Sequence, residues 1–166
     1  KAGATTTLCA DAVLASAVRT VEVRSATAVN EAMVAAGKQP AWLAGTDVVT
    51  QVVPPGSQYQ MVVSKGQAAA LMRGEPAFGG FASPEVVSSQ AFARDKLAIL
   101  EEFKSDVSYV VTVETTAPQA LNLGATGPLG TFAGGAPQVE FLGARSLRMV
   151  GTPRPRSEER RVGKEC

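Results

Sequence analysis

The sequence predicts an α+β domain built on a curved, mainly antiparallel sheet with flanking helices, and three observations carry that reading. Short β-rich runs outnumber helical ones after residue 40. The clearest of them, Val107 to Val113, has five apolar residues in seven, four of them β-branched. Turn-forming clusters separate the runs, above all Pro54-Pro55-Gly56 and a stretch from Asn122 to Pro137 that holds Gly124, Gly127, Gly130, Gly134 and Gly135.

The first section, to Pro40, is alanine-rich. Leu8, Val13, Leu14, Val18, Val29, Met33 and Val34 recur at loosely helical spacing. Ser25 or Thr27 suits the cap of a helix ending at Gly37, with Glu31 in its early turns, and Val21-Glu22-Val23 interrupts the pattern as a short extended piece. Residues 1–39 are therefore expected to form a helical linker or stalk, and 40–155 the domain proper. From Trp42 the period changes. Val48 to Val53 and Tyr59 to Val63 flank Pro54-Pro55-Gly56 as a hairpin or strand pair. Residues 65–80 form a loop, with one helical turn at Ala68 to Met72, and residues 88–104 a helix capped by Ser88 or Ser89 that buries Phe92, Leu97, Ile99 and Leu100. After the Val107–Val113 strand and the glycine-rich loop, Val139 to Leu142 and Leu147 to Val150 form a final strand pair closing at Gly151.

Composition narrows the chemistry. There is no histidine, so this segment cannot supply the imidazole of a Ser-His-Asp or Cys-His hydrolase, an HExxH metalloprotease or a zinc deaminase. Apart from Cys166 the only cysteine is Cys9, which leaves no partner for a disulfide or a multi-cysteine zinc site. No apolar run approaches the ~18–20 residues of a membrane span. The chemistry must rest on carboxylates, amides, hydroxyls and arginine.

Gln138-Val139-Glu140 is the first candidate. Alternation along a strand sends Gln138 and Glu140 to one face and Val139 and Phe141 to the core. A carboxylate beside an amide, beneath a glycine-rich loop, suits nucleotide-ribosyl chemistry: Glu140 stabilises an oxocarbenium-like ribose as nicotinamide leaves, and Gln138 orients the sugar or the attacking water. The bland alternative is the exposed face of an edge strand. The loop itself offers backbone N–H groups to a phosphate, although no G-K-[ST] follows, and such loops are often plain connections. Phe81 and Ser83, in Gly79-Gly80-Phe81-Ala82-Ser83-Pro84, are placed to meet a nicotinamide or adenine ring, or else simply to anchor a turn. Arg73 and Arg94 are the candidate pyrophosphate contacts, with ordinary surface charge as the alternative.

Two resemblances rest on these residues. Residues 40–46, 54–64, 93–111 and 134–142 together resemble the extreme C-terminal domain of very large haemagglutinin-type proteins exported by bacterial two-partner secretion, a position typically held by a variable toxin or effector. Gly80-Phe81-Ala82-Ser83-Pro84, Arg94 with Leu97, Tyr109 in its strand, and Gly134-Gly135 followed by Gln138 are similar in order to the necrotizing-toxin type of NAD glycohydrolase. That resemblance implies an ADP-ribosyltransferase-like fold and a site in which Arg94, Phe81, Ser83, Gly134 and Gly135 bind NAD. The family's strand histidine is absent here, and its early arginine is matched only by Lys65 or Arg73. The Q-x-E of 138–140 separately resembles the catalytic motif of ADP-ribosyltransferases.

The last eleven residues, Arg156 to Cys166, change character to densely charged, and position for position they resemble the translation of a common short-read sequencing adapter. Setting aside their four basic and three acidic residues, from 16 and 15, leaves 12 of each sign, a neutral chain with no field for nucleic acid. With Lys1 at the start, the chain reads as a piece of a longer open reading frame. The expectation is thus a secreted or cell-surface toxin domain that cleaves or transfers ADP-ribose from NAD and is held in check by an immunity protein. The rival is a non-enzymatic cap or adhesin domain, which predicts scattered polar groups near Glu140 and the largest concavity elsewhere.

Overall fold

The computed structural model describes residues 17–99, 106–129 and 132–156. In chain order its elements are β1 (Arg19–Ser25), α1 (Ala26–Ala35), β2 (Asp47–Val53), β3 (Gln58–Val63), α2 (Lys65–Met72), β4 (Phe81–Ala82), α3 (Gln90–Lys96), β5 (Tyr109–Thr115), β6 (Gln119–Ala125), β7 (Pro137–Phe141) and β8 (Leu147–Pro155). They build two sheets, ordered β1-β2-β6-β7-β4 and β3-β5-β8, and every strand pairing is antiparallel.

The single curved sheet with flanking helices is therefore corrected. There are two antiparallel sheets and a few short helices, and only the broad α+β class stands. The reason lies in the Pro54-Pro55-Gly56 turn. Pro54 and Pro55 have no N–H to extend a hairpin ladder, and Gly56 takes φ 89° while donating to the Thr115 carbonyl at 2.9 Å. The chain leaves β2 for a different sheet, so β2 and β3 are not a hairpin. β7 and β8 part company in the same way at Gly143, φ 67°.

The helical N-terminal segment is corrected as well. Thr20, Val21 and Val23 crowd a helical backbone, and β2 offers an open edge; Arg19–Ser25 pairs along it, from Arg19 opposite Val52 to Ser25 opposite Asp47. The helix begins only after Ser25, whose hydroxyl accepts from the Ala28 N–H at 3.2 Å. Leu8, Val13 and Leu14 lie outside the described residues, as do Cys9, Leu100, Gly130 and residues 157–166.

The main core fills the space between the sheets. Val53, Leu121, Val139 and Phe141 from one meet Met61, Val63, Val111 and Val113 from the other, with Ala68 and Leu71 of α2 completing it. β5 is the central strand of its sheet; Tyr109, Val111 and Val113 share that core face. Val107 precedes the strand and belongs instead to a second cluster with Val62, Val87, Ala93, Leu97 and Val110. The 65–80 region carries a two-turn helix where one turn was expected, because Ser64 and Gln67 form a reciprocal capping box. α3 starts at Ser89, whose hydroxyl accepts from the Phe92 N–H at 3.1 Å. An isolated bridge ties the sheets: Gln60 and Ser83 exchange two backbone hydrogen bonds, of 2.7 and 2.6 Å.

Candidate active site

Beside that tie lies a cavity of about 270 Å³. Four walls enclose it: Gln39 to Ala41, Gly79 to Ser83, Leu97 to Ile99, and Thr126 to Leu129, with Gln60, Val62 and Gln138 completing the lining. No charged residue lines it among the described residues. Its size lies near the lower bound of small-molecule sites, roughly 300 Å³.

α1 builds the first wall. Asn30 reaches out of the helix to the backbone of 41–42: its Nδ2 donates to the Trp42 carbonyl at 2.8 Å, and its Oδ1 accepts from the N–H groups of Ala41 and Trp42 at 3.2 and 3.0 Å. The strap so fixed carries the Ala41 carbonyl, which accepts from Gln138 Nε2 and from the Gly127 N–H, both at 2.9 Å. Gln138 is thereby oriented by a residue 97 positions away. Its Oε1 accepts no hydrogen bond from the described residues. The Trp42 indole lies over the sheet at Gly124, where a Cβ would stand 3.0 Å from the ring, and meets Phe81 at a centroid distance of 6.5 Å. Phe81 stays 41% exposed, an aromatic face open to a ligand.

Glu140 stands two residues beyond Gln138 on the same face of β7. A row of directly opposed residues crosses the sheet there: Glu22, Thr50, Asn122, Glu140 and Phe81. Such pairs share a face, and the Thr50 hydroxyl donates to Asn122 Oδ1 at 2.6 Å while Asn122 Nδ2 donates to Glu140 Oε1 at 3.3 Å. The carboxylate is held in place, half-buried, outside the cavity lining.

Of the residues read from the sequence, the fold brings Phe81, Ser83 and Gln138 together at the cavity and sets Glu140 beside them. Ser83 acts largely through its backbone, because its hydroxyl closes a turn on Glu85, donating to the carbonyl at 2.8 Å and accepting from the N–H at 3.0 Å. Arg94 does not line the cavity; its Nη1 donates to the Ile99 carbonyl at 3.1 Å and so braces that wall. Gly134 and Gly135 do not line it either. Their N–H groups are taken by the carbonyls of Asp95 and Thr126 at 2.7 and 2.8 Å. Arg73 pairs with Glu75 on the surface at 2.7 Å. The loop glycines serve close packing: a Cβ at Gly127 would meet the Trp42 carbonyl oxygen at 2.7 Å, and one at Gly134 two carbonyl oxygens at 2.6 Å. Sequence reasoning missed Asn30, Trp42, Asn122 and the Ala41 carbonyl. Only Trp42, the single tryptophan, carried a local signal.

No helix among the described residues is long and apolar enough to cross a membrane. No family model and no curated protein matches the chain. Among solved structures it is similar to a chain in the structure of Tne2 in complex with Tni2. The identity is 64% and the TM-score 0.71, over 72% of this chain and 100% of that one. The chain belongs to the Tne2 family.

Proposed function

We propose that this chain is a toxin effector domain that cleaves the nicotinamide–ribose bond of NAD and is neutralised by a bound immunity protein. Membership of the Tne2 family supports the toxin role, and the Tne2–Tni2 complex supports an immunity partner. One observation carries the catalytic reading. Gln138 converges with the distant pair Phe81 and Ser83 on one cavity that no charged residue lines among the described residues, with Glu140 adjacent. A structural cap or adhesin domain has no need of that convergence.

The chemistry follows from the groups present. Nicotinamide packs against the exposed ring of Phe81. Gln138 Oε1, which takes no hydrogen bond from the described residues while Nε2 is held by Ala41, accepts from a ribose hydroxyl and fixes the sugar. The C1′–N bond breaks with its electron pair going to nicotinamide, which leaves neutral. Glu140 stabilises the positive charge left on the ribose, and water attacks C1′ and loses its proton, giving ADP-ribose. An acceptor nucleophile in place of water would make the reaction a transfer. As part of a larger exported protein, the domain would act in a recipient cell. Production of the chain in a bacterial cytoplasm is expected to deplete NAD and halt growth, and Glu140→Gln to relieve both. Normal growth with an undiminished NAD pool would count against the proposal.

A further inference from the structure

The cavity suits only half of a dinucleotide. Among the described residues no cation lines it, so they offer a pyrophosphate no counter-charge inside it. A second, shallower concavity of about 300 Å³ lies next to it, lined by Pro76, Phe78, Gly143 and Arg145. The two share the Phe78–Gly80 run as a common rim, since Gly79 and Gly80 line the first and Phe78 the second. Arg145 spans that rim. Its Nη1 donates to the Phe78 carbonyl at 2.9 Å, and a Cβ at Gly80 would stand 3.3 Å from Nη2, so the guanidinium lies directly against the glycine backbone.

The arginine is held from behind and open in front. Its turn is fixed by Gln119, which is buried: Gln119 Oε1 accepts from the Ser146 N–H at 2.9 Å, and Nε2 donates to the Leu142 carbonyl at 3.1 Å. The Ser146 carbonyl in turn accepts from the Thr116 N–H at 2.8 Å. Arg145 has no carboxylate partner among the described residues. An exposed guanidinium with one edge fixed and no counter-ion among the described residues suits a phosphate, which it can meet with two donors.

Building on the NAD reading, we infer that the site is bipartite. The nicotinamide riboside half enters the cavity, the pyrophosphate crosses the Gly79–Gly80 rim against Arg145, and the adenosine half rests in the second concavity on Phe78. Arg145 then makes the domain select dinucleotides over ribosides.

Calorimetric titration tests this without any turnover, using ADP-ribose and adenosine as probes on wild-type protein and on Arg145→Gln, with circular dichroism confirming that the variant is folded. Arg145→Gln is expected to weaken ADP-ribose relative to adenosine by about tenfold to a hundredfold, the range for a lost charge-assisted contact. Wild-type protein that binds no ADP-ribose, or a variant that binds it as tightly as wild type, overturns the inference. A protein that binds ADP-ribose through Arg145 yet releases no nicotinamide from NAD keeps the inference and defeats only the reaction.

Discussion

At Gly134 the backbone sits at φ 69°, and a Cβ would stand 2.6 Å from the carbonyl oxygens of Gly127 and Thr126. Both neighbours are main chain and cannot rotate away, so Gly134→Ala is expected to destabilise the protein by at least about 2 kcal/mol. A denaturant midpoint equal to wild type would refute this. The same residue shows where local reading stops. Glycines at 124–135 announce close backbone approach, but not to what; the answer, Trp42 and the loop's own carbonyls, is a tertiary fact. Gln138 was legible because alternation along β7 depends only on its neighbours, and Val139 and Phe141 do point into the core. Phe81 and Ser83 were legible from Gly-Gly-Phe-x-Ser-Pro. Asn30, at the far end of the chain, was not.

Among the elements, the join between α2 and β5 carries a titratable tie. Asp106 accepts from the Lys65 N–H at the start of α2 at 2.7 Å, and from the Ser108 N–H at 2.9 Å and the Ser108 hydroxyl. The Ser108 hydroxyl first, then the Lys65 N–H, hold its carboxyl below the usual carboxylate range. A carboxyl whose folded value is depressed stabilises the fold fully above its unfolded value, near 3.8, and loses that contribution as pH falls through the folded one. Stability should therefore fall on acidification below about pH 4–5, and less steeply in Asp106→Asn. Glu114, held down by Gln58 and then Arg148, accounts for part of the remaining slope. Equal slopes for variant and wild type between pH 5 and 3 would remove Asp106 from the account. β5 was legible as an element because the run 107–113 that overlaps it has five apolar residues in seven, which leaves little choice. The mistaken hairpin and strand pair share one cause: a turn between two strands shows that the chain reverses, but not whether the second strand returns to the same sheet.

For the whole molecule, the boundary of the folded unit moves outward at both ends. β1 and α1 belong to the sheet and to the strap that positions Gln138, so the cavity depends on residues first read as a stalk. At the other end Arg156 is bound: its N–H donates to the Ser108 carbonyl at 2.7 Å, and its Nε to the Val87 carbonyl at 2.6 Å. Arg156 thus differs from the unpacked tail expected of the whole adapter-like run 156–166; deleting its remainder, 157–166, should shift the melting temperature by less than about 2–4 °C, the change expected for 1 kcal/mol in a domain of this size. Extending the deletion to Arg156 should cost more. A larger drop on the shorter deletion would contradict the adapter assignment.

Cleavage of NAD at the Gln138 cavity, as proposed, stands or falls on release of nicotinamide from NAD by the purified chain, followed chromatographically. Wild type should release it, and both Gln138→Ala and Glu140→Gln should show a fall of about 10²–10³-fold. Glu140→Gln should melt near wild type, since a glutamine carbonyl still accepts from Asn122. Gln138→Ala should lose only about 1 kcal/mol, because the Ala41 carbonyl keeps the Gly127 N–H. Wild-type protein that leaves NAD intact, or variants that cleave it at the wild-type rate, would rule out that chemistry at this cavity.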